Sequence, residues 1–383
     1  MNRVTLKKLS DLTNNFDNKR IPLSSKQREE IKKIYPYYGA QNIIDYVDGY
    51  IFDGEYILVA EDGENLKSQN AKVCNLVNGK FWVNNHAHII QGKEWNNTKY
   101  LYYYLNLIDF RPFVTWSAQP KLTQDNLSSI ILEVHDIHEQ NKIATVLSSI
   151  DKKAELNNKI NTELEVMAKT LYDYWFVQFD FPDKNWKPYK SSGWEMVWNK
   201  ELKREIPKGW EVLKIGDLTE VKRGINITKK TVSVWSVPVI AAGLEPSCYH
   251  NKSNTLSPVI TVSWSGANAG YIHLHTQEIW ASDCSYIDQS MCNEIYTMYL
   301  FLKKRQGDVY NMQKGSAQPH VYPKDIMDIK IEVNKNLGIF SKFEEIVSPM
   351  FMTIGSNRSE NQNLSELRDW LLPMLMNGQV TVE

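Results

Sequence analysis

The residues best suited to chemistry are two carboxylates and a lysine near the middle of the chain. Asp183 follows Pro182, and Glu201 and Lys203 come later in the order P-D…E-x-K. In metal-dependent nucleases this order supplies two Mg²⁺ ligands and a lysine that supports the attacking water. Such a site requires paired strands, whereas these residues lie in a segment rich in proline and lysine. We therefore favour a chance match, but a self-sufficient nuclease stays open and predicts Mg²⁺-dependent cleavage that Asp183→Ala abolishes.

The other residues that could bind a metal or act as nucleophiles are scattered. The closest histidine pairs, His86 with His88 and His273 with His275, alternate as on a strand and lack grouped carboxylates or cysteines. Four cysteines without a C-x-x-C pair are predicted to be buried thiols: Cys74, Cys248, Cys284 and Cys292. The sequence also lacks a G-x-x-x-x-G-K-[ST] phosphate loop and an N/D-P-P-Y/F motif. We expect no metal site, motor activity or methyltransferase activity in this chain.

Length and composition limit the class of protein. A chain of 383 residues, with 42% apolar, 23% charged and 11% aromatic residues, is long enough for two or three globular domains. Its longest apolar stretches, such as 57–60 and 371–376, are far shorter than the roughly 18 to 20 residues of a membrane span. Residues 1–8 contain no apolar secretory segment. We therefore expect no membrane association and a cytoplasmic location.

Charge is balanced over the whole chain but clustered locally. The 44 basic and 45 acidic residues give a net charge of −1, which argues against a uniformly basic nucleic-acid-binding protein. A neutral chain can still hold DNA between locally basic surfaces. Adjacent basic residues form four clusters: Lys19-Arg20, Lys222-Arg223, Lys229-Lys230 and Lys303-Lys304-Arg305. Each cluster alone is also compatible with an ordinary solvated surface.

The chain repeats itself with a period of roughly 200 residues. Three pairs of segments match in the same order: 9–13 with 215–219, 82–91 with 280–289, and the S-A-Q-P segments 117–120 with 316–319. Each S-A-Q-P segment precedes an apolar run that is typical of a β-strand. Because several matches recur at similar offsets, the sequence predicts two copies of one β-rich domain.

A long amphipathic helix is predicted after each copy of the domain. Apolar residues recur at steps of three and four over 143–174 and again over 343–374. Two pairs of residues have the spacing of a helix-capping box: Asp136 with Glu139, and Ser341 with Glu344. Each helix is therefore predicted to begin close to its capping box.

The second helix also carries residues that interrupt or end helices. Pro349 lacks a backbone N–H and Gly355 has low helix propensity, so we expect a kink or break near them. Gly378 is predicted as the residue that ends this helix in the left-handed conformation.

The two helices are predicted to pair with each other. Asparagines interrupt the apolar stripe of both helices: Asn157, Asn158 and Asn161 in the first, and Asn357, Asn361 and Asn363 in the second. A buried asparagine specifies register in a coiled coil. Helices of about 35 to 40 residues span roughly 50 to 60 Å, so an antiparallel pair could hold two domains a fixed distance apart. Two independent helices, each packed on its own domain, are the alternative.

The sequence resembles the specificity subunits of type I restriction-modification enzymes. The segment 205–218, which begins E-I-P-K-G-W, is similar to the opening of a target recognition domain. The segment 139–144 with its helix resembles the family's central conserved region, and the loop 315–319 resembles the end of a recognition domain. The first copy lacks the I-P-K-G-W opening and has Trp116 where the second has Gly315. The resemblance covers essentially the whole chain.

The resemblance implies an α/β (α+β) fold in which two repeated target recognition domains are joined by two long antiparallel coiled-coil helices with pseudo-two-fold symmetry. It implies a DNA sequence-recognition subunit with no catalytic site of its own. Each domain would recognise half of a bipartite double-stranded DNA target, and the helices would space the halves and dock two methyltransferase (M) subunits. Restriction (R) subunits would complete the complex. S-adenosylmethionine would bind the methyltransferase, and ATP and Mg²⁺ the restriction subunit, which leaves this chain without a cofactor.

The predicted boundaries follow the order domain, helix, domain, helix. They are 1–137 for recognition domain 1, 138–180 for the central conserved helix, 181–208 for an extended linker, 209–338 for recognition domain 2, and 339–379 for the distal conserved helix.

Side chains that suit base edges and phosphates occur in the predicted loops of both copies. In the first copy they are Lys19, Arg20, Gln41, Asn42, Asn84, Asn85, Gln119 and Lys121. In the second copy they are Lys222, Arg223, Asn226, Lys229, Lys230, Trp264, Ser265, Asn268, Gln318 and His320. Any one of them could have an ordinary loop role instead. The alternative function is a coiled-coil protein–protein adaptor that lacks sequence-specific DNA binding.

Overall fold

A computed structural model describes residues 4–68, 72–115, 120–183, 185–227, 236–315, 318–334 and 338–382. The chain divides into two compact units. Unit 1 comprises Met1–Ala154 together with Gln362–Glu383, and unit 2 comprises Glu155–Asn361. Each unit therefore contains one copy of the sequence repeat and part of each long helix.

Unit 1 contains a strand-rich domain followed by the start of a long helix. Its strands are β1 (Thr5–Lys8), β2 (Thr13–Asn15), β3 (Tyr35–Tyr38), β4 (Ile43–Val47), β5 (Phe52–Ala60), β6 (Cys74–Val83), β7 (Ala87–Gly92), β8 (Val114–Thr115), β9 (Lys121–Leu122) and β10 (Ile131–Val134). Its short helices are α1 (Leu9–Leu12), α2 (Ser25–Glu29), α3 (Asn65–Ser68), α4 (Thr98–Leu105) and α5 (Gln124–Ser129). The long helix α6 (Ile137–Tyr172) begins in unit 1 and ends in unit 2.

A six-stranded sheet forms the centre of unit 1. The strand order is β2-β7-β5-β6-β3-β4, and every neighbouring pair is antiparallel except β3 with β6. Side chains alternate between the two faces of a strand. Ile57 and Val59 of β5 therefore share one core cluster with Tyr100 of α4, whereas Leu58 shares another with Phe81. In a separate two-stranded sheet β1 pairs with β10, which brings the two ends of the domain together.

Unit 2 contains a second strand-rich domain and most of the second long helix. Its strands are β11 (Met196–Asn199), β12 (Arg204–Pro207), β13 (Trp210–Lys214), β14 (Lys222–Arg223), β15 (Val237–Ile240), β16 (Cys248–His250), β17 (Val259–Ser263), β18 (Ile272–His275), β19 (Trp280–Ala281), β20 (Cys284–Asp288) and β21 (Lys330–Asn334). Its helices are α7 (Ile215–Leu218), α8 (Ile295–Lys304), α9 (Gln306–Asn311), α10 (Pro323–Met327) and the first part of α11 (Gly338–Met376). Among the described residues, no helix has the length and apolar character needed to cross a membrane.

Unit 2 repeats the strand topology of unit 1. β13 pairs with β21 as β1 pairs with β10. The order β14-β20-β17-β18 matches β2-β7-β5-β6, and β16-β15-β19 matches β4, β3 and the end of β6. The pairing of β15 with β19 is parallel, like that of β3 with β6. The predicted duplication is confirmed, with the long strand β6 of unit 1 replaced in unit 2 by the shorter strands β18 and β19.

Two tryptophans make the same hydrogen bond in the two units. The indole Nε1 of Trp82 donates to the carbonyl oxygen of Ile21 at 2.6 Å, and that of Trp280 donates to the carbonyl oxygen of Ile225 at 2.8 Å. Trp82 and Trp280 begin one of the matched segment pairs of the sequence repeat. This repeat therefore corresponds to a conformation that both units adopt.

The first long helix begins and the second ends at the predicted capping residues. Asp136 Oδ1 accepts hydrogen bonds from the backbone N–H groups of His138 (2.9 Å) and Glu139 (3.0 Å). These bonds satisfy donors that the first turn of a helix leaves unpaired. Gly378, just after α11, has a φ of 67°, which is the predicted left-handed conformation.

The second capping box is wrong, because α11 begins before Ser341. Ser341 Oγ donates to Glu294 at 2.9 Å, and Glu344 accepts from the backbone N–H groups of Tyr296 (3.0 Å) and Thr297 (2.9 Å). Both residues therefore stabilise the start of α8 rather than of their own helix. Glu344 finds unpaired donors in a neighbouring element, which residue spacing along one helix cannot reveal.

Of the predicted kink or break in the second long helix, the break is wrong, since α11 continues through Pro349 and Gly355. A Cβ atom at Gly355 would lie 2.5 Å from Thr276 Oγ1 and 2.7 Å from Thr276 Cβ. Gly355 therefore permits close packing of the helix against the residue that follows β18. Tertiary packing here outweighs the low helix propensity of glycine.

Asparagines connect the two long helices within unit 2. Asn157 is 1% exposed, and its Nδ2 donates to Asn361 Oδ1 (2.9 Å) and Glu360 Oε2 (2.7 Å). Asn357 Nδ2 donates to Asn161 Oδ1 at 2.8 Å. Because rising residue numbers on α6 meet falling numbers on α11, the helices are antiparallel here. The predicted helix pair is confirmed, and the alternative of two independent helices is wrong.

The segment 181–208 folds instead of forming the predicted extended linker. Its strands β11 and β12 make an antiparallel hairpin. Phe181, which is 5% exposed, stacks on Tyr189 and Trp210 with ring centroids 4.7 Å and 5.4 Å apart. Burial of these aromatic rings in the unit 2 core offsets the entropy lost on ordering the segment.

Candidate nucleic-acid interface

Three of the predicted DNA-contacting residues meet in unit 2, and we call them cluster 2: Arg223, Trp264 and His320. Arg223 ends β14, and Trp264 directly follows β17. The guanidinium carbon of Arg223 lies 3.7 Å from the centroid of the Trp264 ring, and the ring centroids of Trp264 and His320 are 4.7 Å apart. The structure thus brings together residues that are far apart in the sequence.

Backbone hydrogen bonds attach cluster 2 to the sheet. The N–H of Val321 donates to the carbonyl oxygen of Trp264 at 3.1 Å, and His320 forms an antiparallel bridge with Ser265. The Ser265 hydroxyl donates to Asp283 Oδ2 at 2.6 Å. The loop after β17 is therefore held to the segment before α10, which restricts the orientation of the Trp264 ring.

Unit 1 contains a corresponding group, which we call cluster 1: Arg20, Glu61 and Lys121. Arg20 Nη1 donates to Glu61 Oε2 at 2.6 Å, and Lys121 Nζ lies 2.8 Å from Glu61 Oε1. The N–H of Leu122 donates to the carbonyl oxygen of Glu61 at 2.8 Å, as Val321 does to Trp264 in unit 2. Both units therefore use the same backbone connection.

Two members of the clusters correspond position by position, Glu61 with Trp264 and Lys121 with His320, and each cluster also contains the arginine of a Lys-Arg pair. Arg20 follows β2 and Arg223 ends β14, and each arginine is the second residue of a Lys-Arg pair. Glu61 directly follows β5, and Trp264 directly follows β17. Lys121 forms a β-bridge with the residue after Glu61, as His320 does with the residue after Trp264. The position after β5 or β17 is thus acidic in one unit and aromatic in the other.

The two clusters differ in charge. Burial alone would raise the pKa of Glu61, but hydrogen bonds from Lys121 and Arg20 outweigh this effect and hold that pKa below its usual value. Glu61 is therefore an anion that partly neutralises both cations of cluster 1. In the part of unit 2 that the structure describes, no carboxylate pairs with Arg223, whose charge lies over the face of Trp264.

The predicted site residues differ in their exposure to solvent. The exposed ones are Lys19, Gln41, Asn42, Asn85, Lys121, Lys222, Arg223, Asn226 and Gln318. Those of intermediate exposure are Arg20, Trp264, Asn268 and His320, and the buried ones are Asn84 and Ser265. Gln119, Lys229 and Lys230 lie outside the described residues. The exposed set includes loop residues from both units.

The two buried members of the predicted set organise loops. Asn84 is 7% exposed, and its Oδ1 accepts a hydrogen bond from the N–H of His86 at 2.8 Å. Ser265 is 6% exposed and donates to Asp283. Both side chains therefore stabilise the turns that carry neighbouring exposed residues.

Glu61 and Asp283 are site residues that the sequence analysis missed. Neither lies in a basic cluster or beside a glycine turn, and Glu61 ends an apolar run that is typical of a buried strand. The repeat contains a signal for Glu61, because aligning the two copies through their strands assigns it the position of Trp264. The repeat also contains a signal for Asp283, because the matched segments 82–91 and 280–289 align it with the predicted site residue Asn85.

The P-D…E-x-K residues have separate structural roles. Asp183 Oδ1 accepts hydrogen bonds from the N–H groups of Asn185 (2.7 Å) and Lys187 (2.9 Å), which stabilise its own turn. Glu201 forms an ion pair with Lys330 at 2.6 Å. Within the described ranges, no group of three or more histidine, cysteine, aspartate or glutamate side chains is placed to hold a metal.

The four cysteines are free thiols. Cys74 and Cys284 are buried as predicted, whereas Cys248 and Cys292 are of intermediate exposure. Burial raises the pKa of Cys284 and that of Cys292 to about 12, so both thiols are protonated at neutral pH.

The chain belongs to the family of type I restriction modification DNA specificity domains, whose model matches residues 1–166 and 207–335. It is the DNA specificity subunit of a type I restriction-modification system. The two matched ranges contain the strand-rich domain of unit 1, strands β13 to β21 of unit 2 and most of α6. The resemblance seen in the sequence is thereby confirmed.

Relatives and a solved structure match most of the chain. It is 27% identical over 375 residues to the MjaIX type I restriction enzyme specificity subunit of Methanocaldococcus jannaschii, covering 86% of this chain and 84% of the relative. It is 24% identical over 336 residues to the HindI specificity subunit of Haemophilus influenzae, covering 68% and 71%. The crystal structure of a type I restriction-modification S subunit from M. genitalium superposes with a TM-score of 0.69 at 18% identity, covering 98% and 96%. At this identity the likeness establishes the fold.

Proposed function

We propose that each unit recognises one half of a bipartite double-stranded DNA target through the loops that carry cluster 1 or cluster 2. The exposed predicted residues, together with Gln119, Lys229 and Lys230, would contact bases and phosphates from the major groove. The buried Asn84 and Ser265 would position those loops. The observation that carries this proposal is the recurrence of one loop cluster at corresponding positions with different side chains, which suits two different half-sites.

The proposed domain organisation assigns recognition to 1–137 and 209–338 and spacing to the helices 138–180 and 339–379. The paired helices would set the gap between the half-sites and dock two methyltransferase subunits. The segment 181–208 would belong to the second recognition domain, because it packs in the unit 2 core.

The proposed complex places the catalytic chemistry on partner subunits in the cytoplasm. The methyltransferase subunits would bind S-adenosylmethionine and methylate adenines, and restriction subunits would bind ATP and Mg²⁺. A net charge of −1 supports this division, because a neutral chain needs partners to supply many of the phosphate contacts.

The test is to purify the chain with its methyltransferase subunits and map methylated adenines in a random DNA library. We expect methylation at a single bipartite sequence, dependent on this chain. Lys222→Ala should weaken binding to all sequences and reduce the slope of log affinity against log salt by about one, because it removes one phosphate contact. Lys208→Ala is the matched control, since this exposed lysine pairs with Glu195 outside the recognition loops.

Two results would contradict the proposal. Methylation of the same sites without this chain would place recognition in the methyltransferase. Assembly of the complex without sequence-dependent DNA binding would support the protein–protein adaptor instead.

A further inference from the structure

We infer that Arg223 is a specificity-determining residue that contacts a guanine in the half-site of unit 2, and that Arg20, the arginine of the Lys-Arg pair in unit 1, makes no base contact. This inference rests on the proposed DNA recognition by the two units. It adds the chemical identity of one base contact and an asymmetry between the half-sites.

The stacked position of Arg223 suits bidentate recognition. Its guanidinium carbon lies 3.7 Å from the centroid of the Trp264 ring, and the residue is exposed. A guanidinium that stacks on an aromatic face keeps the N–H donors of its planar edge available. Guanine presents two acceptors, O6 and N7, to such an edge in the major groove. Of the four base pairs, those with guanine therefore match this group best.

The Trp264 ring is itself restrained. Its backbone carbonyl accepts from the N–H of Val321, and His320 packs against the ring with centroids 4.7 Å apart. The ring of Tyr322 makes a T-shaped contact with it, with centroids 6.0 Å apart. An arginine held on a restrained ring loses less side-chain entropy on binding than a free one. Cluster 2 thus preorganises Arg223 for a directional contact.

Arg20 is placed for a different role. Its Nη1 donates to Glu61 Oε2 (2.6 Å) and to the carbonyl oxygen of Ala87 (3.0 Å), and its Nε donates to the carbonyl oxygen of Asp17 (3.1 Å). Its side chain is only 17% exposed. A bidentate base contact would require breaking bonds to a buried carboxylate, which costs more than it returns. Arg20 therefore holds loops together as a positioning residue.

The competing role for Arg223 is a phosphate contact, which any cation can make. A phosphate contact contributes affinity on every sequence, whereas a bidentate guanine contact discriminates at one base pair. Lysine can replace arginine on a phosphate but cannot reproduce the planar fork of donors. Arg223→Lys therefore separates the two roles.

The experiment uses the complete complex with its methyltransferase subunits and maps methylated sites in a random DNA library. For wild type, Arg223→Ala, Arg223→Lys and Arg20→Ala, the recognised sequence is determined separately for each half-site. Competition binding with DNA altered at single base pairs measures discrimination even in a variant that no longer methylates. Arg111→Ala is the matched control, because this exposed arginine pairs with Asp109 in unit 1.

Both substitutions of Arg223 should lower the preference for one G·C pair, in one half-site only, by about tenfold to a hundredfold. Arg20→Ala should reduce thermal stability, and the base preferences of both half-sites should persist in this variant and in Arg111→Ala.

The guanine contact would be overturned if Arg223→Ala left the base preferences unchanged. It would also be overturned if Arg223→Lys kept the base preference that Arg223→Ala loses. Loss of a base preference in Arg20→Ala at unchanged stability would overturn the asymmetry. If the wild-type complex itself shows no sequence preference, the proposed function fails first.

Discussion

At the scale of single residues, the side chain that follows β5 or β17 determines what the neighbouring arginine can do. Glu61 binds two cations and draws Arg20 into the framework of unit 1. Trp264 offers only a ring face, so Arg223 keeps its donors available. Two copies of one fold can therefore differ in electrostatics because of a different residue at one position.

Replacing Glu61 should weaken unit 1 in a pH-dependent way. Because the folded-state pKa of Glu61 lies below its usual value, its contribution is present above the unfolded-state pKa of about 4.3 and is lost as pH falls through the folded-state value. We expect Glu61→Gln to reduce the free energy of unfolding by about 1.5–3 kcal/mol at neutral pH. Urea unfolding at several pH values would measure the difference, which should narrow below about pH 4.

Glu55→Gln is the matched control, because Glu55 forms a more exposed ion pair with Lys99 at 3.2 Å. We expect this variant to lose less than about 1 kcal/mol. An equal loss in both variants, or a loss in Glu61→Gln that is constant with pH, would show that the charge of Glu61 is not what stabilises cluster 1.

At the scale of elements, close packing explains residues that sequence rules place elsewhere. Gly355 lies inside a continuous helix because Thr276 occupies the space of a side chain. Gly355→Ala should therefore lower the free energy of unfolding of the full chain by about 1–3 kcal/mol, as expected for overpacking. Urea denaturation measures this value.

Gly307→Ala is the control, and we expect it to raise the free energy of unfolding. Gly307 lies in α9, and nothing lies within 4 Å of a Cβ atom built there. Alanine should stabilise this helix by about 0.5–1 kcal/mol. Destabilisation by both substitutions would mean that helix backbone effects, rather than contact with Thr276, explain Gly355.

The asparagine pairs between α6 and α11 form the second element-scale feature. Asn157→Ala should cost about 1–3 kcal/mol in urea unfolding, because it removes the buried amide that donates to the partly buried acceptors of Asn361 and Glu360. Replacing Asn157 and Asn361 together by leucine should restore part of this loss, since the polar groups on both sides of the Asn157–Asn361 hydrogen bond are then removed. The exposed Asn363→Ala is the control and should change stability by less than about 0.5 kcal/mol. A double variant no more stable than Asn157→Ala would contradict this account.

At the scale of the whole molecule, both long helices pass from one unit to the other, with 36 residues in α6 and 39 in α11. If the helix pair spaces the recognition domains, four extra residues (about one turn) in both helices, beside Asn157 and beside Asn361, should lengthen the pair by about 6 Å. The gap between the methylated half-sites should then increase by about two base pairs, given roughly 3.4 Å per base pair. Methylation mapping would measure the gap.

Each half-site sequence should persist in this insertion variant, because the recognition loops are untouched. Four residues inserted after Gly193, in a turn of unit 2, serve as the control and should leave the gap unchanged. If the gap between the half-sites stays the same when both helices are lengthened, the helix pair does not set that gap.

The sequence alone determined the features that depend on near neighbours and on repetition. Asp136 caps a helix through N–H groups two and three residues away, and Gly378 ends one through its own backbone conformation. The duplication and the paired asparagine-containing helices were equally visible, because they extend over many residues and recur.

Only the tertiary structure decided which distant side chains meet. Arg20 reaches Glu61 and Arg223 reaches Trp264 across strands that pair at long sequence separation, and Glu344 binds the start of another helix. Such contacts follow from sheet order and packing, which the local pattern around each residue does not specify. For this reason the family could be recognised from the sequence, whereas the difference between cluster 1 and cluster 2 required the fold.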